Sequence, residues 1–148
     1  MNKNQKRSLY TLLIWSVVAA IFVPLFFING GADTWGIDSR RFIVSTSFLI
    51  VGYISFFVML ALTRGKKGSD VERDERDTLI NRKASEITLT VVTGYVFLTC
   101  IVLYTIYEKI NFIPRGWMWF LGYTCIFTGY IAYSTINLIL YSSKAEIK

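Results

Sequence analysis

The sequence predicts an all-α membrane protein, a bundle of four transmembrane helices made of two helical hairpins. A charged cytoplasmic helical extension leads into helix three. Three observations carry this reading. The 148 residues are 53% hydrophobic, 16% aromatic and only 18% charged. Four stretches, 8–28, 42–63, 87–107 and 116–141, contain no Asp, Glu, Lys, Arg or His. Each is close to the ~20 residues with which a helix crosses ~30 Å of hydrocarbon. A soluble bundle keeps a polar face on every helix, and these helices show none. The length suits a single domain, 1–148.

The elements follow in order. Lys3, Lys6 and Arg7 precede helix one, 8–28. A basic start before an apolar run resembles a signal peptide, but this run exceeds the 7–15 residues of a signal core, so an uncleaved first helix is expected. Pro24 should kink or loosen its outer end. The loop 29–41 carries the turn residues Gly30, Gly31 and Gly36 and returns the chain into helix two, 42–63. The connector 64–86 follows, then helix three, 87–107, a short loop closed by Pro114, and helix four, 116–141. Short loops make the helices of each hairpin antiparallel neighbours.

Orientation follows from Lys and Arg. The N-terminal segment, the connector and the tail from residue 142 hold twelve of them; the other side holds only Arg40, Arg41, Lys109 and Arg115. This places both termini and the connector on the cytoplasmic side of the membrane. The net charge of +6 is mostly this topology signal. No basic stripe interleaves with aromatics in a soluble segment, so no nucleic-acid partner is expected. The lipid bilayer is the first partner. Trp35, Tyr104, Tyr107, Trp117 and Trp119 fall at the outer boundary, and Tyr10, Trp15 and Tyr141 at the inner one, where amphipathic rings favour the headgroups.

Small residues point to close helix packing. Gly52, Gly94, Gly122 and Gly129 each precede a tyrosine. Gly122, Cys125, Gly129 and Ala132 recur at three- and four-residue steps, and such faces let backbones approach. A groove lined by tyrosine hydroxyls is the functional alternative. VGYISF at 51–56 resembles TGYIAY at 128–133, which hints at a duplicated hairpin about an axis along the membrane normal.

The chemistry on offer is narrow. There is no histidine, which removes His-ligated zinc, His-bound haem and any Ser-His or Cys-His triad. No span holds an ionisable acid or base of the kind that ion-coupled transporters place near the midplane. Cys100 and Cys125 lie about 10 and 14 Å from the outer ends of their spans and can face each other; without a Cys-x-x-Cys pair, ordinary packing is expected. Asn137 and the many Ser and Thr residues read as interhelical glue. No cofactor, metal or catalytic residue is assigned.

The connector contains SDVERDERDTLINRKA at 69–84. Ser69 and Glu72 fit a capping box, so a helix is expected from Asp70 straight into helix three. Glu72 with Arg76, Arg73 with Asp77, and Arg82 with Glu86 are pairs four residues apart, each worth only ~0.2–0.5 kcal/mol. Asp70, Asp74, Asp77 and Asn81 share about 60° of arc. They are oxygen ligands of the type calcium or magnesium takes, but one straight helix cannot wrap an ion and Arg73 borders the face. The alternatives are a weak surface site or a partner-facing acidic stripe, and the ordinary reading is a solvated charged helix. The six residues 64–69 reach at most ~20 Å, so the extension should tilt, bend near 84–88 or lie along the membrane, unless helix two extends beyond Arg64.

Asp74, Glu75, Arg76 and Asp77, then Ile80, then Lys83 and Ala84 ahead of an apolar span, resemble a family of small bacterial and archaeal multi-pass membrane proteins. That family carries a domain of unknown function with an Asp-Glu-Arg-Asp juxtamembrane segment. The resemblance implies architecture and a motif and transfers no catalytic residue.

The function expected is therefore non-enzymatic. A multi-pass membrane protein acts by protein–protein interaction in a regulatory, sensory or protective role. Its contact surface is Asp70, Glu72, Arg73, Asp74, Glu75, Arg76, Asp77 and Asn81, and its partner is a second copy or a cytoplasmic or membrane protein. The alternative is an oligomeric small transporter or channel subunit. A membrane enzyme comes third, since its carboxylates would have to come from the connector.

Overall fold

The computed structural model describes residues 3–28, 30–34, 39–63, 75–110 and 112–142, and the regular elements among them are all helices. Four are long: α1 (Lys3–Ile28), α3 (Ser39–Thr63), α4 (Glu75–Tyr107) and α5 (Arg115–Ser142). The single turn α2 (Gly31–Thr34) lies between α1 and α3. Among the described residues three segments are long and apolar enough to cross a membrane: Asn4–Ile28, Arg76–Tyr107 and Arg115–Ser142. The apolar stretch of α3, Thr46–Leu62, is shorter.

Local chemistry sets the ends. α1 continues past Pro24 to Ile28. It then stops where Gly30 and Gly31 take φ of +91° and +64°, a region without steric cost only for glycine. The Gly30 amide donates to the Phe27 carbonyl at 3.1 Å, closing the last turn. At the start of α5 the Trp117 amide donates to the Pro114 carbonyl at 3.1 Å. The Trp117 indole donates to the Tyr107 hydroxyl at 2.8 Å, tying α5 to the end of α4.

α1 and α5 form the central pair. α3 packs on α1, and α4 packs on α5. Side-chain pairs give the directions. Phe26 meets Trp117 and Phe120, and Asn4 and Tyr141 meet on Asp77, so α1 and α5 are antiparallel. By the same logic α4 runs against α5. Lys3, Ser142, the last turn of α3 and the first turn of α4 therefore share one end, the connector end. The loops joining α1 to α3 and α4 to α5 share the other, the loop end.

The core is aromatic. Trp15, Val18, Phe22 and Phe26 recur at three- and four-residue steps and form the buried stripe of α1, while Leu13, Val17 and Ile21 on the opposite side stay exposed. An apolar outer surface of this kind suits hydrocarbon. Trp15 stacks on Tyr130 at 4.7 Å and meets Tyr53 edge-on at 5.1 Å. Phe22 meets Tyr123 at 5.0 Å and Phe127 at 5.4 Å, and Phe26 meets Phe120 at 4.5 Å. In lipid, van der Waals packing replaces water exclusion as the main attraction between helices, and each ring pair adds ~0.5–1.5 kcal/mol.

Three expectations change here. Among the described residues α3 and α4 make no helix-to-helix contact. A duplicated hairpin about a two-fold axis would pair α3 with α4 as α1 pairs with α5, so the symmetry fails. What survives is local. A Cβ on Gly52 would meet Val18 at 3.0 Å and one on Gly129 would meet Val92 at 3.7 Å, so each glycine faces its own hairpin partner. The tyrosine after each packs on Trp15. Second, α4 passes 84–88 without a break. Ile80 and Ala84, both fully buried, lie on the face whose Asp77 and Asn81 bond to α5, which holds the first turns upright against the bundle. Third, this face is only partly solvated, since Asp77 is half-buried while Asn81 stays exposed. The expected cap at Ser69 and Glu72 lies outside the described residues.

Candidate functional site

The connector end gathers the polar residues of three helices. Asp77 in the first turn of α4 accepts from Asn4 Nδ2 at 2.7 Å and from the Tyr141 hydroxyl at 2.9 Å. Each carboxylate oxygen holds one partner, one from the start of α1 and one from the end of α5. Hydrogen bonds to a charged group are worth ~1.5–3 kcal/mol when sheltered, and Asp77 is half-buried. One turn on, Asn81 Oδ1 accepts from the Tyr133 hydroxyl at 3.3 Å. Asp77 thus clasps the two chain-terminal helices to the base of α4.

Beside this clasp, between α1, α3 and α5, lies a cavity of about 220 Å³. Arg7 and Asn81, both exposed, stand at its rim. Phe56 and Tyr130 wall it towards Trp15. Ser134 and Asn137 line its buried side, 0% and 1% exposed. Among the described residues Ser134 Oγ and Asn137 Oδ1 have no hydrogen-bond partner, and neither has the Trp15 indole nitrogen nearby. Leaving a buried polar group unmatched costs ~1–3 kcal/mol, and native proteins hold few of them. Thr11, also on the rim of this space, instead donates to its own helix at the Arg7 carbonyl, 2.9 Å.

The residues singled out in the sequence divide into three groups. Asp70, Glu72, Arg73 and Asp74 lie outside the described residues, and the side chain of Glu75 does too. Arg76 is exposed at the start of α4. Asp77, half-buried, and Asn81, exposed, both bond to the bundle, so these two are parts of the fold. The expected pair Arg82 with Glu86 forms at 3.0 Å on the exposed side. Of the four glycines, Gly52 and Gly129 face neighbouring helices, while a Cβ on Gly94 or Gly122 would meet nothing within 4 Å. Cys100 and Cys125 are free thiols, Cys100 exposed and Cys125 half-buried. Tyr95 bonds Thr124, which sets Cys125 level with Tyr95 and leaves Cys100 about 7 Å further along α4.

Sequence reasoning missed the cavity. Its signal was present as stripes of uncharged polar residues. Asn4, Ser8 and Thr11 recur on one face of α1, and Tyr130, Tyr133, Ser134 and Asn137 on one face of α5. Reading the spans for charge alone passes over both.

A family model described as "Predicted membrane protein (DUF2178)" matches residues 3–145. No curated protein and no solved structure matches the chain.

Proposed function

We propose, from the premise that this chain belongs to the DUF2178 family of predicted membrane proteins, that it works by protein–protein interaction at the cytoplasmic face of a bacterial or archaeal cell membrane. In this reading four helices cross the bilayer, with α3 as the shortest span, and both termini and the connector are cytoplasmic. The excess of Lys and Arg at the connector end supports that orientation. In this reading it is not an enzyme: the stretches 8–28, 42–63, 87–107 and 116–141 hold no Asp, Glu, Lys, Arg or His.

One observation carries the reading. Asp77 fixes the base of the charged segment to both α1 and α5, and the side of α4 beyond it turns Arg82, Lys83 and Glu86 outward. A partner that engages this side and the preceding residues 70–76 therefore engages a support joined to the whole bundle. The test replaces Asp74, Glu75 and Arg76 with Ala while keeping Asp77. Crosslinking in native membranes, read by mass spectrometry, should lose the partners of the wild-type chain. An unchanged set of crosslinked proteins and an unchanged oligomeric state would sink the proposal.

The polar cavity favours a second reading, an oligomeric transporter or channel subunit. The rings of Phe22, Phe26 and Phe120 close the path beyond it, so one copy would have to move them to pass a solute. Absence of flux for any tested solute from proteoliposomes, together with a monomeric state, would count against this reading.

A further inference from the structure

The cavity beside Asp77 has a polarity that selects a ligand class. Arg7, an exposed residue, is part of its lining, and no carboxylate among the described residues is. Arg7 has no ion pair among the described residues. A guanidinium at the level where a span meets the headgroups is suited to a phosphate, which it grips with two parallel N–H bonds. The buried side offers different chemistry. Among the described residues Ser134 Oγ and Asn137 Oδ1 are buried without a hydrogen-bond partner, and both residues line the space. A hydroxyl donates to or accepts from either, whichever way the amide is turned. A single structural water needs about 10–15 Å³ of such space, and a cavity of about 220 Å³ is far larger.

We propose that this cavity binds a phosphorylated polyol, with Arg7 at the rim holding the phosphate and Ser134 and Asn137 holding the hydroxyls. Phe56 and Tyr130 give the carbon skeleton an apolar wall. A cation is disfavoured by Arg7, and an apolar ligand would leave Ser134 and Asn137 unmatched. The same chemistry is carried by a soluble polyol phosphate and by the headgroup of a glycerol-bearing anionic phospholipid.

Two arms separate these sources. In the first, the full chain in phosphatidylcholine nanodiscs is titrated with glycerol 3-phosphate by calorimetry, with inorganic phosphate as the control. In the second, native mass spectrometry compares retention of phosphatidylglycerol with retention of phosphatidylcholine. Saturable binding in the first arm assigns a soluble ligand, and selective retention of phosphatidylglycerol in the second assigns a headgroup. In either arm Arg7→Gln, at an exposed position, should weaken binding about tenfold, the loss expected of a charge-assisted contact. Ser134→Ala should weaken it several-fold while leaving the melting temperature of the ligand-free chain unchanged or raised, because it removes an unmatched buried group. No selective binding in either arm, equal binding of inorganic phosphate, or undiminished binding by both variants would overturn the proposal. A clear fall in the ligand-free melting temperature of Ser134→Ala would also overturn it, since the hydroxyl would then be part of the fold.

Discussion

Between α1 and α5, the half towards the loop end is filled by Phe22, Phe26, Phe120 and Phe127, in ring pairs 4.5 to 6.4 Å apart. The half towards the connector end is built from the same two helices and holds Thr11, Ser134 and Asn137 around a cavity. The contrast separates cohesion from function. Helices in lipid are held by close packing, and the ring half supplies it. The polar half adds little cohesion and carries unmatched groups that a core under selection for packing alone would replace with Leu or Phe. Asp77 marks the edge of the polar half and joins it to the charged connector.

Truncating the ring half should have the largest effect. Phe22→Ala, at a ring that meets α5 at several points, should cost about 3 kcal/mol or more, read as unfolding in mixed micelles of graded denaturing detergent. Asn137→Leu in the polar half should be neutral or stabilising by the same measurement, despite equal burial. Similar losses for both would erase the distinction between the halves.

The clasp comes next. Asp77→Ala removes the acceptor of both Asn4 and Tyr141 and should cost roughly 1–3 kcal/mol. Faster amide hydrogen exchange should appear in the first turns of α1 and α4 and not around Phe120. Uniform exchange along α1 would mean that Asp77 is no local clasp.

Glycine substitutions sharpen the packing map. Gly52→Ala brings a Cβ to within 3.0 Å of Val18 and should loosen the α1–α3 pair by about 1 kcal/mol. Gly122→Ala meets open space and should be neutral or favourable by up to ~1 kcal/mol through helix propensity. The smallest effect belongs to Arg82→Ala. Its ion pair with Glu86 is 78% and 63% exposed, and its loss should stay within about 0.5 kcal/mol.

Much of this fold is legible in the sequence because charge and apolar length are strong signals. The uncharged runs locate α1, α4 and α5, and the short loops pair α1 with α3 and α4 with α5. Which hairpin faces meet is not legible that way. VGYISF and TGYIAY suggested a symmetry that the central α1–α5 pair does not obey, since a six-residue likeness reports local packing on Trp15 and not the arrangement of helices. In sequence the connector reads as a solvated helix because Asp77 and Asn81 look like surface residues. Their partners, Asn4, Tyr141 and Tyr133, are 52 to 73 positions away. The cavity was missed for a related reason. Ser134 and Asn137 are ordinary interhelical glue unless the opposing helix fails to answer them, and only the packed structure reveals that.

The central claim, a closed ring half and an open polar half of one helix pair, has a direct test. With Cys100 and Cys125 replaced by Ala, Ser134→Cys and Phe127→Cys are each exposed in nanodiscs to a small anionic thiol reagent that cannot enter hydrocarbon. The cysteine at 134 should be modified readily, and more slowly when Arg7→Gln removes the charge at the rim, while the cysteine at 127 should stay unmodified. Equal protection of both positions, or modification at 127 alone, would contradict the account.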